Sequence, residues 1–338
     1  MAGCKQTRTL ALPQRPTISS STTQVQLDYD PAALLAKPSA DWTRFVLLSD
    51  THTHACDVPG DENDVLIHTG DLTNRGRLPE LQATVDWLRS LPHKVKIVIA
   101  GNHDLILHQD FYEDNWARKG FLEPESVAEA RKLLKGSAAV AAGIVYLEDE
   151  QYTFRAREGG REWSVYGSPW SPNFYNWAFG YDRGEEAEAL VGKLTHGPPR
   201  NVLDLTNNNI LAGCAALASR VQQLKPLLHV FGHIHEARGA YVHSWNEQLA
   251  AQNAIQLGVS KEHQERVDFT EHLDSEYPAN DDFDERPDAT GPAETIFVNA
   301  ANYPSGPVAR LAAKSGARVN MGGKGFQPII VDLVDKAN

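Results

Sequence analysis

Cysteine is scarce in this chain: Cys4, Cys56 and Cys214 are the only three in 338 residues, and no two form a C-x-x-C pair. An odd, scattered set excludes a disulfide framework and a thiolate zinc knuckle, and it suits a reducing, cytoplasmic setting. Long apolar runs are also missing. The longest, around residues 138–147, is too short to span a bilayer, so no membrane association is expected. Near the N-terminus Leu10-Ala11-Leu12 is cut short by Pro13, which argues against a secretory signal. Positive charge is in deficit as well: 32 Lys and Arg face 44 Asp and Glu, a formal net charge of −12. Such a surface repels polyanions and shows no basic stripe, so a nucleic-acid polymer is not an expected partner, whereas a locally positive metal site would still attract a small phosphate ester. No internal repeat is visible.

What is present is a chain that is 41% hydrophobic, enough for one large domain or two small ones. Residues 1–40 mix Thr, Ser, Gln and Pro without periodicity and read as a flexible N-terminal arm, with the main domain over 41–338. Short apolar runs at 45–48, 65–67 and 95–99 read as strands buried on both faces. Residues 78–91 carry helical spacing and stop at Pro92. Further helices are expected over 125–134 and 214–224. Further strands are expected at 144–147, 152–155, 163–166, 227–231, 295–298 and 329–333. The alternation predicts an α/β architecture. Residues 246–293, rich in Glu, Asp, Gln and Asn, read as an acidic, largely disordered insertion.

Thirteen histidines are more than packing needs, and several sit beside Asp, Asn and Gly where a strand ends. After the first strand comes Ser49-Asp50-Thr51-His52. Side chains two apart on an extended segment point the same way, so Asp50 and His52 can share an ion. After the second comes Thr69-Gly70-Asp71, where Gly70 permits a tight turn and the two oxygens of Asp71 can reach two ions. After the third comes Gly101-Asn102-His103-Asp104, in which the Asn102 amide oxygen is a neutral hard ligand. Later, Phe231-Gly232-His233-Ile234-His235 again sets two imidazoles two residues apart after a buried strand. Each cue alone is common by chance. Their order, each at a strand exit, makes the set specific, because loops at strand ends are where an α/β scaffold gathers its chemistry.

These motifs together resemble the signature set of the calcineurin-like metallophosphoesterases. The missing ligand of that set is matched by His196 in Leu194-Thr195-His196-Gly197-Pro198-Pro199. Tyr166-Gly167-Ser168-Pro169 and Asn176-Trp177-Ala178-Phe179 make the chain most similar to the branch of metallophosphoesterase-domain-containing proteins, whose characterised members are cyclic-nucleotide or general phosphodiesterases. The resemblance spans most of residues 43–335. It implies a four-layer α-β-β-α sandwich of two mixed sheets, and two divalent metal ions. Asp50, His52 and His235 would hold one ion, Asn102, His196 and His233 the other, and Asp71 would bridge them. His103 would act as general acid or transition-state stabiliser, oriented by Asp104. A His/Asp/Asn ligand set without thiolate favours Mn²⁺, with Fe, Zn, Ni or Mg also compatible. The implied reaction is hydrolysis of a small phosphodiester by a hydroxide shared between ions roughly 3.5–4 Å apart.

One departure from the family pattern stands out. The helix-like residues 185–190 run almost directly into 191–195, leaving a stub of the strand that normally delivers the His196 motif. A distorted or weakened second metal site is therefore expected. A scaffold that kept the fold but lost turnover, and a protein phosphatase of the same superfamily, remain as alternatives. Of the other histidines, His54 reads equally as substrate-facing or as an exposed loop residue, while His68 and His229 read as core. The aromatic cluster Trp170, Tyr175, Trp177 and Phe179 reads as packing or as a stacking surface for a nucleobase.

Overall fold

The computed structural model describes residues 17–184, 196–245, 255–257, 293–314 and 319–335. In chain order its strands are β1 (Ile18–Ser19), β2 (Thr23–Gln26), β3 (Trp42–Leu48), β4 (Val65–His68), β5 (Val95–Val98), β6 (Ile144–Tyr146), β7 (Glu150–Arg155), β8 (Glu162–Gly167), β9 (Ser171–Pro172), β10 (Gly180–Tyr181), β11 (Leu228–Phe231), β12 (Gly239–Ser244), β13 (Ile255–Leu257), β14 (Glu294–Asn299) and β15 (Ile329–Val334). The helices are α1 (Leu78–Ser90), α2 (Gln109–Asn115), α3 (Val127–Lys135), α4 (Ser137–Ala141), α5 (Ala215–Leu224) and α6 (Gly306–Lys314). None of these helices is long and apolar enough to cross a membrane.

The main sheet has seven strands in the order β1-β2-β15-β3-β4-β5-β6. It is mixed: β3 to β6 run parallel, while β15 is antiparallel to both β3 and β2. Every residue of β3 is buried, as a central strand covered on both faces requires. A second mixed sheet of four strands has the order β11-β14-β12-β13. The pairs β7-β8 and β9-β10 form separate two-stranded sheets.

Alternation along the strands divides the core. Val46, Leu48, Leu66 and Val98 pack with Leu81, Val85 and Leu88 of α1 and with Ala130 and Leu134 of α3. Their neighbours Phe45, Leu47, Val65, Ile67 and Ile97 share a cluster with Ala240, Val242, Ile296 and Val298 of the second sheet. On that sheet, Phe231, Tyr241 and Phe297 pack with Leu217 and Val221 of α5. The buried positions of α1 recur at helical spacing, and its first turn is closed by Glu80, which accepts from the backbone N–H of Arg77 and Arg75. Its last turn gives way to extended backbone at Leu91, ahead of Pro92.

The segment expected as a flexible arm is ordered where it meets the core. From residue 18 it supplies β1 and β2 and docks on β15. A long-range ion pair contributes to that docking, beside the β2–β15 ladder and the burial of Ile18, Val25 and Leu27. Arg44 of β3 lies opposite Asp332 of β15, to which it donates two hydrogen bonds, of 2.7 and 2.8 Å. Arg44 also donates to the Leu35 carbonyl, and Gln24 of β2 donates to Asp332. One buried pair thus ties residues 24 and 35 to the central sheet. Residues 1–16 lie outside the described part, and so does the expected acidic insertion apart from β13 and residue 293.

A buried ion pair stripped of one partner leaves a desolvated charge behind. Asp332→Ala should therefore lower stability by about 3–5 kcal/mol in urea denaturation. The double substitution Arg44→Met, Asp332→Leu, which removes both charges, should recover most of that loss.

Candidate metal centre

The exits of β3, β4, β5 and β11 converge at one end of the two sheets. Ser49 bridges to Ala301 beyond β14, and Asn302 N donates to the Ser49 carbonyl at 2.9 Å, so the sheets meet directly at this point. The loops after β3 and β4 run side by side. Asp50 N donates to Gly70 O, His52 N to Asp71 O and Thr53 N to Leu72 O, at 2.9 to 3.0 Å. The backbone here is strained. Asp50, His52, Thr53, Asp71 and His233 all have positive φ, between 45 and 72°. Such conformations cost about 1–3 kcal/mol each and persist only where the surroundings enforce them.

Asp50, His52, Asp71 and His235 each offer one ligand atom to a cluster whose atoms lie within 4.8 Å of one another. His235 Nε2 is 3.1 Å from Asp50 Oδ1 and 3.3 Å from His52 Nε2. His52 Nδ1 is bound to the Thr73 carbonyl at 3.1 Å, which leaves its Nε2 as the atom facing the cluster. The two oxygens of Asp71 face different imidazoles: Oδ2 lies 3.9 Å from His52 Nε2, and Oδ1 lies 3.6 Å from His196 Nε2. On the His196 side, the His196 and His233 rings are 5.3 Å apart, and His233 Nδ1 lies 2.7 Å from Asn102 Oδ1.

His196 thus stands beside Asp71 and His233, and the expectation of a distorted or weakened second set bears on how closely these groups are drawn together. Packing contacts hold His196 there. Its Nδ1 donates to the Thr69 carbonyl at 2.5 Å, its carbonyl accepts from Gly232 N, and its ring lies against Gly70 and Gly101. Residues 185–195 lie outside the described part. This second set is more open than the first: among the described residues, the four-residue group above is the one cluster of His, Cys, Asp and Glu atoms drawn that tightly.

The electrostatics fit a cation. Burial pushes both carboxyls up, but the imidazoles around them win. His235 and His196 hold Asp50 well below the usual carboxylate range, and His103 and His196 pull Asp71 down. Burial drives His52 to about 4 and His233 to about 3, so both rings are neutral at neutral pH, as ligands must be. Burial opposes the charge on His235 too, but Asp50 prevails and raises it. His196 Nε2 is buried with no hydrogen-bond partner. A buried acceptor left unsatisfied costs about 1–3 kcal/mol, and a metal ion would satisfy it. Two ionised carboxylates, imidazole nitrogens with their far sides committed to carbonyls, and an amide oxygen fit hard or borderline divalent ions.

Two sequence-based roles need comment. His103 lies on the rim, its ring 4.6 Å from that of His52. Asp104 does not hold it. The Asp104 carboxylate is buried and accepts from Gly101 N, Leu72 N, Thr73 N and the Thr73 hydroxyl, at 2.7 to 3.1 Å. Burial and the nearby Asp71 push its pKa up to about 6. It clamps the loops after β4 and β5 because an acceptor-only group in a dry place collects whichever N–H groups surround it. The His103 ring is held instead by the Asn74 carbonyl, 2.7 Å from Nδ1, and by Trp177, stacked at 4.3 Å. His54 is exposed, with Nδ1 on the His52 carbonyl. His68 is buried against the Thr51 hydroxyl, and His229 is buried between Phe231 and Phe297, both as core residues. Sequence reasoning missed Asn74, Thr73 and Tyr303. Tyr303 follows β14, and the strand-exit cue that found the ligands applied there too.

Residues 43–237 match the calcineurin-like phosphoesterase family. The chain belongs to that family. It is 37% identical over 230 residues to metallophosphoesterase domain-containing protein 1 of Homo sapiens, and equally to that of Mus musculus, covering 62% of this chain and 66% of each relative. A UPF0046 protein of Caenorhabditis elegans is 33% identical over 225 residues, covering 59% of this chain and 53% of its own length. The chain thus spans just under two thirds of the length of the human and mouse relatives. For a calcineurin-like phosphoesterase, the buried Asp/His cluster is consistent with a metal-dependent hydrolase.

Gly232 lies against the cluster so closely that a methyl group there would overlap Asp50 Oδ2 and Ser49 Oγ. Added divalent ions should raise the melting temperature of the parent protein, and Gly232→Ala should keep the native circular dichroism while losing that rise. Retention of that rise would show that Asp50 has room to move.

Proposed function

We propose that this chain is a phosphodiesterase for small, cyclic nucleotide-like phosphodiesters that works with two divalent ions, Mn²⁺ favoured. The observation that carries the reading is the division of Asp71, with one carboxylate oxygen toward His52 and the other toward His196. A bridging ligand needs that arrangement. Asp50, His52 and His235 would hold one ion, and Asn102, His196 and His233 the other. We read the two sheets as the inner layers of a four-layer α-β-β-α sandwich, which the separate core clusters on their faces support.

When bound, the ions supply charge neutralisation for the phosphoryl group and acidify water at neutral pH. The protein's own residues do the rest. Asp50 and Asp71 fix the spacing of the two sets through the loops they tie together. Thr69 and Thr73 carbonyls hold the His196 and His52 rings in the tautomer that faces inward. His103, with Nδ1 on the Asn74 carbonyl and its ring against Trp177, presents its other nitrogen at the rim. From there a proton can pass to the leaving alkoxide as the P–O bond breaks.

The test starts from protein stripped of metal and assayed on bis-p-nitrophenyl phosphate. Turnover should return with Mn²⁺, vanish in Asp71→Ala, and fall by about 10²- to 10⁴-fold in His103→Ala, the usual contribution of a general acid. A folded protein that shows no turnover with any divalent ion would overturn the reading in favour of a scaffold. Faster cleavage of p-nitrophenyl phosphate than of the diester would favour a phosphatase.

A further inference from the structure

Aromatic side chains stand exposed on both sides of the ligand cluster. Tyr303, 40% exposed, follows β14 and sets its ring 5.3 Å from the rings of both His52 and His235 and 6.4 Å from that of His54. Across the site Phe174, 59% exposed, lies 6.4 Å from the His233 ring and packs edge-on against Tyr175, itself 79% exposed. Tyr303 borders the Asp50 set and Phe174 borders the Asn102 set. Large apolar rings are costly to leave in water, and here they sit where an ester's organic arm must lie once its phosphoryl group has entered the cluster. Trp177 has a different job, because its face is taken up by His103.

We propose that Tyr303 and Phe174 form a binding wall for a planar aromatic group on the alcohol arm of the substrate. The preferred substrates are then phosphoesters whose alcohol carries a flat ring. This rests on the phosphodiesterase reading for the position of the phosphoryl group. It goes further in assigning specificity to two residues outside the ligand set. A flat ring stacks on an aromatic face or meets its edge, while a small alkyl arm gains little from either. The −12 net charge disfavours extended polyanionic arms and leaves small, ring-bearing esters as the matching class.

The test is equilibrium binding, which needs no turnover. Calorimetry on Mn²⁺-supplemented protein compares phenylphosphonate, cyclohexylphosphonate and methylphosphonate, three ligands with one headgroup. The phenyl compound should bind about tenfold tighter than the methyl one, as stacking on an exposed ring provides, with cyclohexyl in between. The phenyl-to-methyl ratio should fall toward one in Tyr303→Ala and in Phe174→Ala, and it should persist in Tyr303→Phe, which keeps the ring. A ratio near one in the parent protein, a ratio that survives both alanine substitutions, or cyclohexyl binding as well as phenyl would each overturn the wall. Failure of all three phosphonates to bind would overturn the wall together with the phosphoester reading. Ring-dependent binding without hydrolysis of any diester would leave the wall standing and sink the phosphodiesterase alone.

Discussion

Two like charges, buried at the seam of two sheets, govern this structure. Asp50 and Asp71 are both out of water and both held ionised, which neither burial nor their mutual repulsion allows without compensation. Part of that compensation comes from loops distant in the chain but adjacent in space. Asp50, after β3, accepts from the backbone N–H of His233, after β11. Asp71, after β4, accepts from the N–H of His103, after β5. Asp104, after β5, accepts in return from Leu72 and Thr73, after β4. Each carboxylate therefore fastens its own loop to the loop of another strand, and four strand exits become one object.

Strain is the other side of that arrangement. Five non-glycine residues with positive φ at one place would cost several kcal/mol together in an isolated chain. They persist because the backbone N–H groups they turn inward find carbonyl and carboxylate acceptors, and because Gly70, Gly101 and Gly232 let the loops approach to contact. The conformation that points side chains into the centre is thus the one that satisfies the buried backbone. Ligand geometry and local folding share a single set of interactions, which is why the site holds its form around its own imidazoles.

Much of this was legible in the sequence, for identifiable reasons. Central strands announce themselves as short apolar runs because both faces are covered, and α1 could be read from its spacing and from Pro92. Ligand-bearing motifs were visible because their residues are local: Asp50 and His52, or His233 and His235, need no distant partner to be recognised as a pair. What escaped was whatever a long-range contact decides. Thr23–Gln26 has one strongly apolar residue, Val25, and its strand is completed by pairing with β15, some three hundred residues later, where Asp332 meets Gln24 and Arg44. Asp104 follows His103 in the chain but turns to Gly101 and to the β4 loop, and nothing local reveals that choice. His196 was read from the strand expected to deliver it, and the packing of its ring against Gly70 and Gly101 is a contact that no local pattern reveals.

The ligand chemistry also bears on the charge a substrate should carry. The side chains assigned to the two sets are imidazoles and an amide, with Asp50 and Asp71 as the two carboxylates. Two divalent ions would therefore leave the cluster positive inside a chain of net charge −12. A monoanion feels the local attraction strongly and the overall repulsion weakly. Each further negative charge on the substrate strengthens both, but the repulsion acts from the whole surface and grows as the ligand extends beyond the cluster. A compact ester with one negative charge is the species for which the balance is most favourable, and a phosphodiester is such a species at neutral pH. A phosphomonoester carries a second charge, and a nucleic-acid strand carries one at every step. On the proposed two-ion reading, the same charge distribution would draw a small diester inward and keep extended polyanions outside.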